Sequence, residues 1–169
     1  MSNTKYPAVI FYTIIIVALV LPAFYFSRLP ETVASHFNII NEPDAWMSKK
    51  TFLFVHVGLI IFMSVLFWGI PHMLPKLPKS IINLPNKDYW MSEKNIEETF
   101  AVFKRFFFWF GSLTIVFITV IFQEVYNTNI AENKKLTSNV WIYLAVFLLA
   151  TVFLIIKLIT FFKRTDNTN

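Results

Sequence analysis

The chain has 169 residues, of which 56% are hydrophobic and 15% are charged, and it contains 20 Phe. A soluble domain has about 45–50% apolar and about 25% charged residues, so the excess of apolar side chains must face lipid. Cysteine is absent, which excludes disulfides and thiolate metal sites. The net charge of +5 is not gathered into a basic block, so the sequence predicts no binding to nucleic acid.

Four stretches are apolar and long enough to approach the ~20 residues that a helix needs to cross a bilayer. Their approximate bounds are 6–26, 52–70, 106–122 and 140–162. They predict an all-α membrane protein with a single membrane domain over residues 1–169. The first stretch has too long an apolar core for a signal peptide and lacks a small-residue cleavage site, so we expect an uncleaved span. Pro22 should kink or end its helix.

The distribution of Lys and Arg predicts the orientation of the spans. With a cytoplasmic N-terminus, ten of the 15 basic residues fall in inner segments, and the other five are Arg28, Lys49, Lys50, Lys134 and Lys135. This bias favours both termini in the cytoplasm of a multi-pass membrane protein. The lipid bilayer is then the first partner of the protein, and the loop 29–50 lies on the outer side of the membrane.

The loop 29–50 is a polar, turn-rich segment between the first two spans. Its first half is rich in residues that favour strand, and the sequence Asn-Glu-Pro-Asp at 41–44 favours a turn. We therefore expect a short hairpin of about 32–38 against 45–47. Ser48 should then act as the N-cap of the second span.

Three polar residues of this loop are candidates for chemistry: His36, Glu42 and Asp44. Paired across a hairpin they would approach one another, and His and carboxylate side chains are ordinary ligands of divalent cations. The structural alternative is that Asp44 caps the turn and His36 hydrogen-bonds to it. Their spacing matches no established metal signature, so the sequence predicts neither a metal nor another cofactor and leaves these residues as weak metal candidates.

His56 lies about 9 Å along the second span, counted from the end of the loop. An ionisable group at that depth is a functional hypothesis by default. Its expected partners are Tyr12, Tyr25 and Glu124. A neutral histidine bonded to a tyrosine or a carbonyl is the structural alternative, whereas proton coupling or ligand binding is the functional one. Glu124 itself is expected at the interface, solvated or paired with a lysine of the loop.

The segment 71–105 should form an inner loop with two parts. Four prolines between 71 and 85 should keep its first half extended. Ser92 resembles an N-cap, and we expect one helix from Ser92 to about Tyr126. Its first turns should project into the cytoplasm.

Residues 44–50 and 88–94 share Asp, Trp, Met, Ser and Lys at the same spacing. One explanation is convergence, because an interfacial Trp and a Ser cap suit any helix that begins at a membrane surface. The other is a duplicated unit in inverted topology, as in many transporters. The first explanation is favoured, since the flanking sequences do not align.

Catalytic signatures are absent from the sequence, which contains no Gly-x-Ser-x-Gly, no His-Glu-x-x-His and no Gly-rich phosphate loop. We therefore expect a protein that is not an enzyme. The three glycines form no Gly-x-x-x-Gly motif, so close helix pairing of that type is not expected.

The loop carries a recognisable pattern in Leu29-Pro30, His36-Phe37-Asn38, Asp44-Ala45-Trp46 and Lys49. A second stretch contributes a further set: Asn83, Pro85, Asn86, Tyr89 and Trp90. Together they resemble a bacterial integral-membrane family, the domain of unknown function numbered 1648, which also forms the N-terminal domain of SdpI-type immunity proteins. The family usually has Gly where this chain has Asn41, and Asn is the best replacement for Gly in a left-handed turn.

The resemblance implies, by analogy, a role in immunity to a secreted toxin or in sensing. The favoured hypothesis is a non-enzymatic membrane protein whose outer loop recognises a peptide toxin or a membrane partner protein. The second hypothesis is a small transporter or ion-coupled carrier that uses His56. Four spans are few for a carrier, so the second hypothesis requires an oligomer.

Overall fold

Four long helices and one antiparallel hairpin make up the computed structural model, which describes residues 4–131 and 135–165. In chain order the elements are α1 (Lys5–Phe26), β1 (Thr32–Phe37), β2 (Pro43–Ser48), α2 (Lys49–Met73), α3 (Lys87–Trp90), α4 (Ile96–Ile130) and α5 (Asn139–Lys163). Each predicted span lies within a helix long and apolar enough to cross a membrane, which confirms the four-span fold class. Lys134, which was counted with the outer basic residues, lies outside the described residues.

α4 is the central helix of the bundle, because it contacts α1, α2 and α5. Buried apolar side chains from α1, α2 and α4 fill the middle of the core, among them Phe11, Ile60, Phe67 and Phe108. α5 lies at the outside, and Phe162 is its one buried residue. The apolar side chains that remain exposed on these helices are those that a bilayer would cover.

Gly111 marks a close approach of α1 and α2 to α4. A Cβ atom at this position would lie 2.7 Å from Cε2 of Phe11 and 2.7 Å from Cβ of Phe67. Carbon atoms pack at about 3.5–4.0 Å, so a side chain does not fit here without movement of its neighbours. The sequence has no Gly-x-x-x-Gly motif, and this contact is instead one between a single glycine and two aromatic residues.

The hairpin pairs β1 with β2 in antiparallel register, as the turn chemistry of the loop predicts. Both strands begin and end within two residues of the expected bounds. Ala34 lies opposite Trp46 and His36 lies opposite Ala45, so Ser35 is an extra residue that forms a bulge in β1. A second irregularity follows at once, because Phe37 lies opposite Pro43 and Asp44 is therefore an extra residue of β2.

Of the two serines predicted to cap helices, one does so and the other does not. Ser48 caps α2 as expected, because its Oγ accepts a hydrogen bond from the N–H of Thr51 at 3.1 Å. Ser92 does not cap α4, which runs from Ile96 to Ile130 instead of from 92 to 126. The Oγ of Ser92 donates to the carbonyl of Tyr89 at 2.7 Å, because the chain is still turning after α3 at this point.

Two prolines lie inside helices, and for Pro71 this is against prediction. α1 continues past Pro22 to Phe26, so Pro22 does not end it. α2 includes Pro71, so this residue does not begin an extended segment, and two short 3-10 turns, Leu74–Lys76 and Lys79–Ile81, follow the helix. A proline removes one backbone donor, and membrane bundles tolerate this loss where neighbouring groups satisfy the freed carbonyl.

Candidate functional site

His36 and Asp44 are in contact on the hairpin. Nδ1 of His36 lies 2.5 Å from Oδ1 of Asp44, and both side chains are exposed. They meet because Asp44 is an extra residue of β2, between Pro43 and Ala45, which lie opposite Phe37 and His36. The pair therefore forms part of the solvent-accessible face of the hairpin.

Glu42, the third candidate ligand, does not join this pair. Its Oε1 lies 3.5 Å from Nζ of Lys135, in the connection between α4 and α5. Within residues 4–131 and 135–165, no group of three or more His, Cys, Asp and Glu side chains is placed to hold a metal ion. The geometry of His36 and Asp44 thus agrees with one part of the structural alternative, in which the histidine bonds to the aspartate.

The turn of the hairpin is capped by Asn38, not by Asp44. Oδ1 of Asn38 accepts hydrogen bonds from the N–H groups of Ile40 and Glu42, both at 3.0 Å. Asn41 has a φ of 66°, which is the left-handed conformation expected where the family usually has Gly. The carbonyl of Asn41 accepts from the N–H of Leu136 at 2.9 Å. The tip of the hairpin is therefore held both from within and by the α4–α5 connection.

Asn129, near the end of α4, attaches β1 to the bundle, and the sequence analysis did not identify it. Its Oδ1 accepts from the N–H of Ala34 at 2.7 Å, and its Nδ2 donates to the carbonyls of Ala34 and Val125, both at 2.9 Å. The side chain is buried. The carboxamide thus pairs with the free edge of β1 as a neighbouring strand would. The one relevant signal in the sequence is that the third span ends in polar residues. Polar residues are common wherever a span meets the membrane surface, so this signal does not single out Asn129.

His56 lies below the hairpin and is fully buried. Its Nδ1 lies 2.6 Å from the hydroxyl of Tyr126, and its ring stacks on Phe122 with the centroids 4.0 Å apart. Its Nε2 is buried and has no hydrogen-bond partner among the described residues. The imidazole is therefore held between two aromatic residues of α4 with one nitrogen satisfied.

The expected partners of His56 were wrong. Tyr25 stacks on Tyr126, with the centroids 4.7 Å apart, and so contacts the partner of the histidine. Tyr12 packs against aromatic rings of the central core, further from the hairpin than predicted. Glu124 accepts hydrogen bonds from hydroxyl groups of the α4–α5 connection and of α5, both at 3.0 Å, instead of pairing with a lysine of the loop.

The bond between His56 and Tyr126 predicts a strong coupling between the two positions. Either His56→Phe or Tyr126→Phe alone should destabilise the protein by about 1–3 kcal/mol, because each leaves the other polar group buried without its partner. The double variant should be nearly as stable as the parent, since both polar groups are then removed. Unfolding by dodecyl sulfate in mixed micelles measures the coupling energy. Additive effects of the two substitutions would show that the bond contributes nothing.

The other residues of the loop motif are either exposed or anchored. Trp46 is 53% exposed, whereas Phe37 packs into the apolar cluster below the hairpin. Nζ of Lys49 donates to Oε1 of Glu31 at 2.9 Å and lies 5.0 Å from the ring centroid of Phe26, so it joins the hairpin base to α1. This hydrogen bond and the charge of Lys49 lower the pKa of the Glu31 carboxyl below its ordinary value.

Two residues of the second motif cap the C-terminal end of α5. Asn86, with a φ of 52°, donates from Nδ2 to the carbonyls of Phe162 and Lys163 at 3.2 and 3.0 Å. Nε1 of Trp90 donates to the carbonyl of Phe162 at 2.9 Å. Carbonyls in the last turn of a helix have no partner within the helix. Asn86 and Trp90 therefore supply the partners that α5 lacks, and we call these two residues the α5 clasp.

The second motif lies at the end of the bundle opposite to the hairpin. Of its remaining residues, Asn83 is exposed, Pro85 is half-buried, and the carbonyl of Tyr89 accepts from Nδ2 of Asn95 at 3.0 Å. The α5 clasp contacts the last turn of α5, whereas the hairpin is attached to the last turns of α4. The two motifs therefore do not form one site.

The repeated segments 44–50 and 88–94 fold differently. The first forms most of β2 and the start of α2, and its Trp46 is exposed. The second forms α3 and the turn after it, and its Trp90 is buried. The shared residues thus occupy unlike structures, which agrees with convergence and not with a duplicated unit.

Comparison with known proteins identifies one part of the chain. Residues 13–62 match the sequence model of a family described as a domain of unknown function (DUF1648). The match includes most of α1, the whole hairpin and the first half of α2, and it confirms the resemblance that the loop motif predicts. No curated protein matches the chain, and no solved structure does. The hairpin and most of the two flanking helix segments are therefore the part of the chain that is similar to this family, within a protein that has four membrane-span-like helices.

Proposed function

We propose that this protein is a non-enzymatic membrane protein that recognises a ligand through the exposed face of its hairpin. The proposal depends on one observation: large apolar side chains are exposed on a segment whose backbone is fixed to the bundle. Ile39 is 84% exposed and Ile40 is 58% exposed at the tip, and Trp46 is exposed on β2. Exposed apolar groups on an ordered element favour binding, because the entropy of ordering has already been lost.

The polar groups beside these side chains suit recognition of a peptide. The His36–Asp44 pair is exposed on the same hairpin. Its imidazole and carboxyl groups together offer a hydrogen-bond donor and acceptors to a ligand. The charge distribution supports a hairpin on the outer side of a bacterial plasma membrane. Toxin immunity or sensing of a secreted peptide is the concrete form of this function, and the resemblance to the N-terminal domain of SdpI-type immunity proteins supports it.

A protection assay tests this function. The chain is expressed in a bacterium that is sensitive to a secreted membrane-active peptide toxin, and survival is compared across variants at equal membrane levels. Ile39→Ser with Ile40→Ser, Trp46→Ala, and His36→Ala with Asp44→Ala should each lower protection by about tenfold or more, as expected for residues central to an interface.

Ile81→Ser is the matched control for this assay. Ile81 is 62% exposed, and it lies in the 3-10 turn at the opposite end of the bundle. This variant should protect as well as the parent. Protection that survives every hairpin substitution, or a parent chain that gives no protection, would argue against recognition of that toxin by the hairpin.

Ion-coupled transport is the second candidate function, and the burial of His56 with an unpaired Nε2 favours it. An ionisable group inside a membrane bundle is commonly part of an ion or substrate pathway. Flux into proteoliposomes at a series of external pH values tests this candidate. His56→Ala should abolish the pH dependence, whereas His72→Ala, at the other end of α2, should not. Absence of flux, or flux that His56→Ala leaves unchanged, counts against transport.

A further inference from the structure

An open groove runs between α4 and α5 at the end of the bundle opposite to the hairpin. Its volume is about 480 Å³. Arg105 of α4 and Lys157 of α5 are its two charged lining residues, and both are basic. Neither of them forms an ion pair with a carboxylate among the described residues. The groove therefore presents two positive charges without a carboxylate partner on otherwise apolar walls, and Nζ of Lys157 lies 5.2 Å from the ring centroid of Phe153.

The depth of these charges matches a lipid headgroup. At about 1.5 Å per residue, the stretch of α4 from Arg105 to Tyr126 is about 32 Å long. This length is close to the hydrocarbon thickness of a bilayer, about 30 Å. Since Tyr126 lies under the hairpin, Arg105 lies near the level of the headgroups on the opposite side.

A second apolar groove shares walls with this one on the side toward the middle of the bundle. Trp109, Phe153 and Leu154 line both this groove and a second cavity of about 290 Å³ between α1, α4 and α5. Ile14 and Val116 are among the further walls of that cavity. A molecule with an anionic head and long apolar chains matches this arrangement, in which apolar walls follow two basic residues.

In the other direction the groove leads to polar surroundings. Phe161 separates it from a cavity of about 620 Å³, whose walls include Lys94, Glu98 and Arg164. The charged end of a bound amphiphile would therefore face water and a mixed set of charges, two basic and one acidic, while its chains lie along α4 and α5.

We propose that the groove between α4 and α5 binds an anionic phospholipid of the surrounding bilayer. Its phosphate lies between Arg105 and Lys157, and its acyl chains follow Trp109, Phe153 and Leu154. Basic pockets between membrane helices are suited to anionic headgroups, because each Lys or Arg near the headgroup strengthens binding. The bound lipid would cover the inner surface of α5, which contacts the rest of the bundle mainly through α4.

Fluorescence quenching by brominated lipid tests this proposal. The full chain is placed in vesicles of phosphatidylglycerol and phosphatidylcholine, with bromine on the chains of one lipid or of the other at the same mole fraction. The signal of Trp109 is obtained as the difference between the parent and Trp109→Phe. Brominated phosphatidylglycerol should quench Trp109 with an apparent preference of about fivefold or more, the change expected for each basic group near an anionic headgroup.

Two double variants distinguish binding of the lipid in the groove from general electrostatic attraction between the protein and anionic lipid. Arg105→Gln with Lys157→Gln should remove the preference. Lys104→Gln with Lys163→Gln removes the same charge from the same end of the bundle, and neither residue lines the groove, so this variant should keep it. Equal quenching by the two lipids in the parent chain, no quenching by either, or equal loss of preference in both double variants would overturn the proposal.

Discussion

Replacing Asn129 by Leu is expected to destabilise the protein by about 2–5 kcal/mol and to release the hairpin from the bundle. The substitution removes three hydrogen bonds and leaves the N–H and the carbonyl of Ala34 buried without partners. Each orphaned buried group costs about 1–3 kcal/mol. Hydrogen exchange of the backbone amides over 32–37, together with unfolding by dodecyl sulfate in mixed micelles, measures the local and the global effect.

Two further variants make this prediction specific. Asn129→Asp can still accept from the N–H of Ala34 but donates to its carbonyl only when the carboxyl is protonated, so its loss of stability relative to the parent should be smaller at acidic than at neutral pH. Asn127→Ala removes an exposed asparagine from the same helix end, and its effect should be within about 0.5 kcal/mol. If Asn129→Leu proves as harmless as Asn127→Ala, the carboxamide does not hold the hairpin.

The substitution Gly111→Ala is expected to be the most damaging of the three possible Gly→Ala changes. Its Cβ would lie 2.7 Å from atoms of Phe11 and Phe67, which are themselves buried in the core between α1 and α2. Relief of this overlap requires movement of two packed helices, and overpacking of this kind costs about 1–3 kcal/mol or more. The free energy of unfolding in mixed micelles measures it.

The other two glycines are internal controls for this prediction. A Cβ at Gly58 or at Gly69 would meet no described atom within 4 Å, and both residues lie within α2. Ala at either position should therefore leave stability unchanged or raise it by up to about 1 kcal/mol, because Ala has the higher helix propensity. If Ala lowered stability equally at all three positions, the cause would be a loss of helix flexibility and not the close contact at Gly111.

Spans and local turns were predictable from the sequence because their causes are local. The lipid environment requires long apolar stretches, and these are visible without knowledge of their neighbours. The same holds for Ser48, whose cap bonds to a residue three positions away, and for Asn41, whose left-handed conformation is a property of one residue. Ser92 shows the limit of such signals, since a serine before an acidic residue also occurs within a run of turns.

The attachment of the hairpin could not be predicted, because its contacts join residues far apart in the chain. Asn129 and Ala34 are 95 positions apart, and His56 and Tyr126 are 70 positions apart. Ala34 lies opposite Trp46, directly before the bulge at Ser35, and a single extra residue at Asp44 brings its carboxylate to His36. A register shift of one residue moves every side chain of a strand to the opposite face. The residue composition of the two strands does not reveal which register they adopt.

The α5 clasp has a consequence for the order in which the protein is made. Asn86 and Trp90 leave the ribosome long before Phe162, the residue whose carbonyl both of them bind. Until the last span has entered the membrane, the indole N–H of Trp90 and the amide of Asn86 lack these acceptors. The loop before α4 therefore cannot complete these hydrogen bonds before the final span is integrated, whereas its bonds to the start of α4, such as that from Asn95 to the carbonyl of Tyr89, can form earlier.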